Sequence, residues 1–447
     1  SSNCGSCYRR KDLAVLTTMA VAEGVPRRGK RTSISETTWK HVGGSMMLQN
    51  RYRIAEDRVM GEGTSGTVYS GLDMETCTNV AIKIYKTDEG YVNEDVYETF
   101  IKSIEVLQAV ACKAAMKRTK SMRQRGGVAR RGSTCSYAGG AIEEEIEGLT
   151  DELGIDYSGE DKDVISELDY GDCFVRLLDH SWDDKGKPGI DPKSSTLFLI
   201  FELGEDSLLD RIDECKSNGE MMSKDELRHL QWSLMSMVCG LHSLGYVHLD
   251  IKPGNVMRFP GENGENDLWK LIDLDGASKT GDLVDPREVW CTSLYMPPEF
   301  AGSVIKTQAE TPKSKASCMK LSRLMDVWSV GLVALEAIFL LPVLEPWYNE
   351  WQKETGSETK FLKWLSDYER EPLLAGDMSE ALSGIDKDMC NLLQGMLQKD
   401  PQKRMPITTC VTHPWFKPLR RALLEELAQA AGEPYRTERR SSSCSLM

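Results

Sequence analysis

The run His248-Leu249-Asp250-Ile251-Lys252-Pro253-Gly254-Asn255 decides how the rest of this chain is read. It sets a carboxylate, a cation two residues on and a carboxamide five residues on along one short segment. Phosphoryl transfer needs that set. One group orients the incoming hydroxyl and takes its proton, a cation meets the developing charge, and an oxygen ligand holds Mg2+. After a short Gly-rich hairpin comes Lys270-Leu271-Ile272-Asp273-Leu274-Asp275-Gly276. Asp273 ends an apolar strand there, where a second metal carboxylate would sit.

Upstream, Gly61-Glu62-Gly63-Thr64-Ser65-Gly66-Thr67-Val68 is a GxGxxGxV run between two predicted strands. Glycines at a hairpin tip bring backbone N–H groups close to phosphate oxygens with no Cβ in the way. A plain hairpin turn would use the same residues. Lys83 closes the apolar run Val80-Ala81-Ile82-Lys83, seventeen residues after Gly66. A lysine inside an apolar strand is costly to bury unpaired, and a nucleotide phosphate would supply a partner. A surface lysine that snorkels to water is the alternative.

These runs, in this order, resemble the eukaryotic-type protein kinase family over roughly residues 52–416. Tyr295-Met296-Pro297-Pro298-Glu299 is similar to the motif closing that family's activation segment, and Asp326-Val327-Trp328-Ser329-Val330-Gly331 to its central helix. Arg404 resembles the arginine that pairs with the closing glutamate, here Glu299. The resemblance implies an α+β fold of two lobes. A small antiparallel sheet with one helix holds ATP, and a larger, mostly helical lobe holds the catalytic loop. Roles carry over residue by residue. Gly61, Gly63 and Gly66 cover the phosphates, and Val68 and Ala81 enclose the adenine. Phe201 is the gatekeeper, and the backbone of Glu202 and Gly204 bonds the adenine edge. Lys83 holds the α- and β-phosphates, Asp250 orients the substrate hydroxyl, and Lys252 stabilises the γ-phosphoryl. Asn255 and Asp273 hold Mg2+. Lys252 and Thr292 resemble Ser/Thr kinases rather than tyrosine kinases, so protein serine and threonine are the expected substrates. The rival expectation is a pseudokinase scaffold acting through partner binding.

Three departures matter. Leu249 replaces the family's arginine, which binds a phosphate on the activation loop, so activity is expected not to need such a phosphate. Asp275 replaces the glycine that eases backbone rearrangement beside the metal carboxylate. The family places a glutamate four residues before a helix leucine as the partner of Lys83. Set on Leu107, that position is Ser103. Glu98, Glu105 or an acid in 143–168 are the candidate substitutes.

Around this core, 1–50 is a basic flexible extension with eight Lys or Arg against three Asp or Glu. Residues 51–203 form the first lobe, 204–418 the second, and 419–447 a helix running into a basic, Ser-rich tail. The first lobe carries a charged insert at about 113–172. Its residues 113–142 hold eight basic and no acidic residues, and 143–172 hold thirteen acidic residues and one Lys. Such blocks read as a solvated, partly disordered segment and as a place for a regulatory partner. Residues 303–320 read as a second polar insert.

The 447 residues are 40% hydrophobic, which excludes a wholly disordered chain. A net charge of −14 argues against nucleic acid as a partner. The thirteen cysteines show no zinc spacing and read as reduced thiols of a cytoplasmic protein. Cys444, fourth from the end before a terminal Met and preceded by Arg436, Arg439 and Arg440, is similar to a prenylation signal. Membrane association through this tail is the corresponding expectation.

Overall fold

Alternating apolar positions from residue 45 to 85 build a run of strands. The computed structural model describes residues 45–63, 65–86, 93–124, 172–261, 267–309, 318–355, 357–369 and 372–431. Strands β1 (Ser45–Leu48), β2 (Tyr52–Glu62), β3 (Gly66–Asp73) and β4 (Thr78–Tyr85) follow one another as hairpins. The 1–50 segment therefore ends in a strand. Leu48 is fully buried with Tyr52, Ile54, Val80 and Ile82, and this apolar contact orders β1.

Helix α1 (Glu94–Gln124) follows. Glu94 and Asp95 in its first turn complement the helix dipole. Phe100 and Ile104 pack with Tyr85, Leu197 and Leu199 beneath the sheet. Val106, Leu107 and Val110, farther along, enter the large core of the helical lobe. The helix thus touches both cores, and Ser103 is buried within the first set, between Phe100 and Ile104. It continues to Gln124, past residue 113 where the sequence places the start of the insert. Ala114, Ala115, Met116, Lys117 and Arg118 are good helix formers, so nothing local stops it. Residues 125–171, and with them the acidic block, lie outside the described residues.

Strands β5 (Leu177–His180) and β6 (Phe198–Glu202) complete one six-stranded sheet. Its order is β1-β2-β3-β4-β6-β5, with antiparallel neighbours throughout.

The second lobe is mostly helical. Helices α2 (Leu208–Asn218) and α3 (Lys224–His242) start on serine caps. Ser207 forms a reciprocal capping box with Asp210, and Ser223 accepts from the Glu226 amide. Three two-stranded antiparallel ribbons frame the loops. Strand β7 (Tyr246–Val247) pairs with β10 (Ser278–Lys279), β8 (Val256–Phe259) with β9 (Leu268–Leu271), and β11 (Leu283–Val284) with β12 (Met319–Lys320). Helix α4 (Pro298–Ala309) precedes β12, so regular structure covers both ends of the 303–320 segment.

Helix α5 (Arg323–Phe339), predominantly apolar, is buried at every position from Met325 to Ile338, its polar Asp326, Ser329 and Glu336 included. It is the axis on which the site is built. Helices α6 (Glu345–Thr355), α7 (Thr359–Leu365), α8 (Gly376–Ile385), α9 (Lys387–Met396), α10 (Ile407–Val411) and α11 (Lys417–Ala431) complete the lobe. Among the described residues no helix is long and apolar enough to cross a membrane. Cys444 and its basic neighbours lie outside them.

Candidate active site

The deciding run occupies the loop between β7 and β8, and α5 fixes its backbone. Asp326, fully buried, accepts from the amides of His248 and Leu249 at 2.9 Å each, and from His242 Nε2 at 2.8 Å. Burial works against its charge. The His242 hydrogen bond, the charge interactions with His242 and His248, and the Leu249 amide outweigh that and hold the carboxyl below its ordinary range. Leu249 stands at φ 69°, a left-handed conformation costly for a branched residue, and its side chain is buried in the core. The Asp326 anchor holds this strained turn, which delivers the next residue, Asp250, into the cleft.

Asp250 gathers Lys252 Nζ at 2.5 Å on one oxygen, and Thr292 Oγ1 at 2.6 Å and its amide at 3.1 Å on the other. Lys252 Nζ also reaches Thr292 Oγ1 at 3.2 Å. Burial favours the protonated acid, yet Lys252 and Thr292 outweigh it and depress the pKa. Asp250 is therefore ionised at neutral pH, ready to accept a proton from a bound hydroxyl.

Asn255 donates its carboxamide N–H to the Asp250 carbonyl at 2.9 Å, so its carboxamide oxygen takes no part in that bond. Its own carbonyl accepts from the Ile272 amide at 2.9 Å, so Asn255 and the residue after Ile272 are neighbours. That residue is Asp273, at φ 60°. A carboxamide oxygen and a carboxylate are hard donors. Two protein ligands suit Mg2+, which keeps waters and takes phosphate oxygens for the remaining positions. Among the described residues there is no cluster of three or more His, Cys, Asp or Glu able to hold a metal.

Lys83 corrects a sequence expectation. Glu98 and Glu105 are exposed on α1 and make no contact with it. The acids of 143–168 lie outside the described residues, and Lys83 is paired without them. Its ammonium lies 2.7 Å from Asp273 Oδ1 and 2.7 Å from Asp275 Oδ2. Burial works against its charge, but Asp275 and then Asp273 outweigh it and raise its pKa. Ser103, at the expected glutamate position, is buried and 2.8 Å from Asp275 Oδ1.

The glycine run is the β2–β3 hairpin. Gly66 is required by the fold itself, because a Cβ there would lie 2.4 Å from the Ile84 carbonyl oxygen. Gly61 has open space where its Cβ would be, and Gly63 nearly so, so nothing in the protein requires glycine at either. A phosphate approaching the backbone would. Val68 pairs with Lys83 and Ala81 with Phe201, which sets these side chains on adjoining strands. The Glu202 amide donates to the Arg176 carbonyl and its carboxylate pairs with Lys270. At Gly204 a Cβ would lie 2.4 Å from Met257 Sδ, so a larger residue there would have to displace the Met257 side chain.

Glu299 and Arg404 form the expected pair, bidentate at 2.7 and 2.8 Å. Sequence reasoning missed the anchoring role of Asp326 and the contacts that Ser65 and Tyr85 make to Asp275. A signal for the last was present. The sequence shows two departures there, Ser103 where the resemblance places a glutamate and Asp275 where it places a glycine.

Comparison with known proteins agrees with this geometry. Residues 175–416, more than half the chain, match the Protein kinase domain family. "Probable cyclin-dependent kinase 8" of Dictyostelium discoideum is 25% identical over 252 residues, 52% of this chain and 63% of that protein. "Mitogen-activated protein kinase KSS1" of Saccharomyces cerevisiae is 24% identical over 250 residues, 52% of this chain and 64% of that protein. "Mitogen-activated protein kinase 12" of Mus musculus is 25% identical over 223 residues, 47% of this chain and 55% of that protein. The chain thus spans less than two thirds of the length of these relatives. The glycine run and Lys83 precede the matched residues, and the fold brings them to the same cleft through the Lys83–Asp273 contact. Through that match over more than half of its length, this chain belongs to the protein kinase domain family.

Proposed function

We propose that this protein transfers the γ-phosphate of ATP to serine or threonine hydroxyls of protein substrates. The observation that carries this reading is the convergence of Asp250, Lys252 and Thr292 within hydrogen-bond reach of one another, beside Asn255 and Asp273. Asp250 orients the acceptor hydroxyl and takes its proton, in competition with the Thr292 hydroxyl it now binds. Lys252 meets the negative charge that builds on the transferred group. Lys83 grips the α- and β-phosphates, and the open space at Gly61 and Gly63 admits phosphate oxygens. Asn255 and Asp273 would hold Mg2+, which neutralises charge on the phosphates when bound. Gly204 offers its backbone groups to the adenine edge. The choice of Ser/Thr rests on Lys252 and Thr292, which meet at Asp250.

The test is transfer of labelled γ-phosphate from Mg-ATP to a basic carrier protein, beside an Asp250→Asn control. Transfer should fall by about 100-fold or more in the control, the range for a positioned base. Binding of Mg-ATP with no transfer by the wild type would instead support a scaffold that works through partners.

A further inference from the structure

Asp275 carries more contacts than any role assigned so far requires. Its Oδ2 accepts from Lys83 Nζ at 2.7 Å and Ser65 Oγ at 2.6 Å. Its Oδ1 accepts from Ser103 Oγ at 2.8 Å and Tyr85 OH at 3.0 Å. These four donors come from the glycine-rich hairpin, β4 and α1, while Asp275 itself follows β9. A carboxylate only 13% exposed and met by four donors is a built site for a negative charge.

We propose that Asp275 is the positioning residue for Lys83, supplying from the segment after β9 the carboxylate that helix α1 lacks at Ser103. Ser103 Oγ lies 2.8 Å from both the Thr99 carbonyl and Asp275 Oδ1, and the charged carboxylate is the stronger acceptor for its single proton. Helix α1 is thereby coupled to the nucleotide cleft through a neutral hydroxyl, and the ion pair is moved off the helix. The arrangement also explains why glycine is absent at 275. A glycine would leave Lys83 with Asp273 alone, and an ammonium drawn wholly onto Asp273 no longer reaches phosphates. With both acids in place, Asp275 holds one side of the ammonium and leaves Asp273 an oxygen for a metal. Ser65 adds the hairpin tip to the same carboxylate, so one residue sets Lys83, α1 and the phosphate-covering loop together.

This inference rests on the kinase reading above, and its test keeps the two apart. Affinities for ADP and for adenosine are compared in the wild type, Asp275→Gly, Asp275→Asn and the double variant Asp275→Gly/Ser103→Glu, with thermal unfolding as a check on folding. The preference for ADP over adenosine should drop about tenfold in Asp275→Gly, while adenosine affinity stays within about twofold. Asp275→Asn, which keeps hydrogen-bonding capacity but loses the charge, should drop in the same way. The double variant returns a carboxylate to the helix and should recover most of the preference. In transfer assays kcat should fall about 100-fold in Asp275→Gly, with KM for ATP changing less than about tenfold. An unchanged ADP preference in Asp275→Gly, wild-type behaviour of Asp275→Asn, or no recovery in a folded double variant would overturn the assignment. A wild type that binds ADP no better than adenosine would overturn it too. A wild type that binds ADP but transfers no phosphate would retire the kinase reading, and the ADP–adenosine contrast would still decide the role of Asp275.

Discussion

Asp326 on the central helix accepts the Leu249 amide at 2.9 Å and so holds a left-handed turn immediately before Asp250. Removing that acceptor strands two buried amides and His242. Asp326→Ala should therefore lose about 3–5 kcal/mol of stability, the range for breaking a buried charged network. Urea unfolding measures it. The protein that remains folded should transfer phosphate at least about tenfold more slowly, because a misplacement near 1 Å is enough to cost that much. A stable variant with wild-type transfer would show that the turn holds itself.

Arg404 is fully buried at its side chain and donates to Glu299 and to the carbonyls of Leu324, Gln398 and Lys399. A lysine cannot reproduce a planar bidentate contact. Arg404→Lys should cost about 3 kcal/mol or more, read as a lower midpoint in denaturant. A loss below about 1 kcal/mol, the value of an exposed pair, would mean that burial adds nothing here.

Glu336 is buried in α5 and accepts from the Tyr295 hydroxyl at 2.5 Å. Burial raises its pKa to about 7 against the partial relief that the Tyr295 bond gives. The folded state thus binds a proton that the unfolded chain releases near pH 4.5. Its stabilising contribution is complete below the unfolded value and is lost as pH rises towards the folded one. The loss is on the order of 3 kcal/mol between about pH 4.5 and 7. Glu336→Gln should flatten the stability profile across that window relative to the wild type. Parallel profiles would count against a neutral Glu336.

Leu249 offers no guanidinium to an activation-loop phosphate. Thr280 Oγ1 is buried without a hydrogen-bond partner, and Ser278 Oγ is bonded to Lys102 Nζ at 3.0 Å on α1. Ser278→Ala and Thr280→Ala should each keep transfer activity within about threefold, since Thr280 Oγ1 has no partner to lose and Ser278 loses only its bonds with Lys102 Nζ and the Gly276 carbonyl. A drop of about 100-fold in either would show a phosphate-dependent switch.

The linear order of residues by itself determined the fold class and named the candidate site residues. Gly61, Lys83, Asp250, Asn255 and Asp273 are legible because phosphoryl transfer fixes residue types at short spacings. The strands and α1 are legible because apolar periodicity is local. Tertiary structure alone decided what meets across long gaps. Asp275 reaches Lys83 across 192 positions, and Asp326 reaches Leu249 across 77. No periodicity encodes such pairings, because they depend on how β9, α1 and α5 stack. The partner of Lys83 is the sharpest case. A carboxylate needs only to arrive within a few ångströms of an ammonium, and Coulomb attraction does not depend on which element carries it. The acid expected on the helix therefore could sit after β9, and only the folded chain shows that it does.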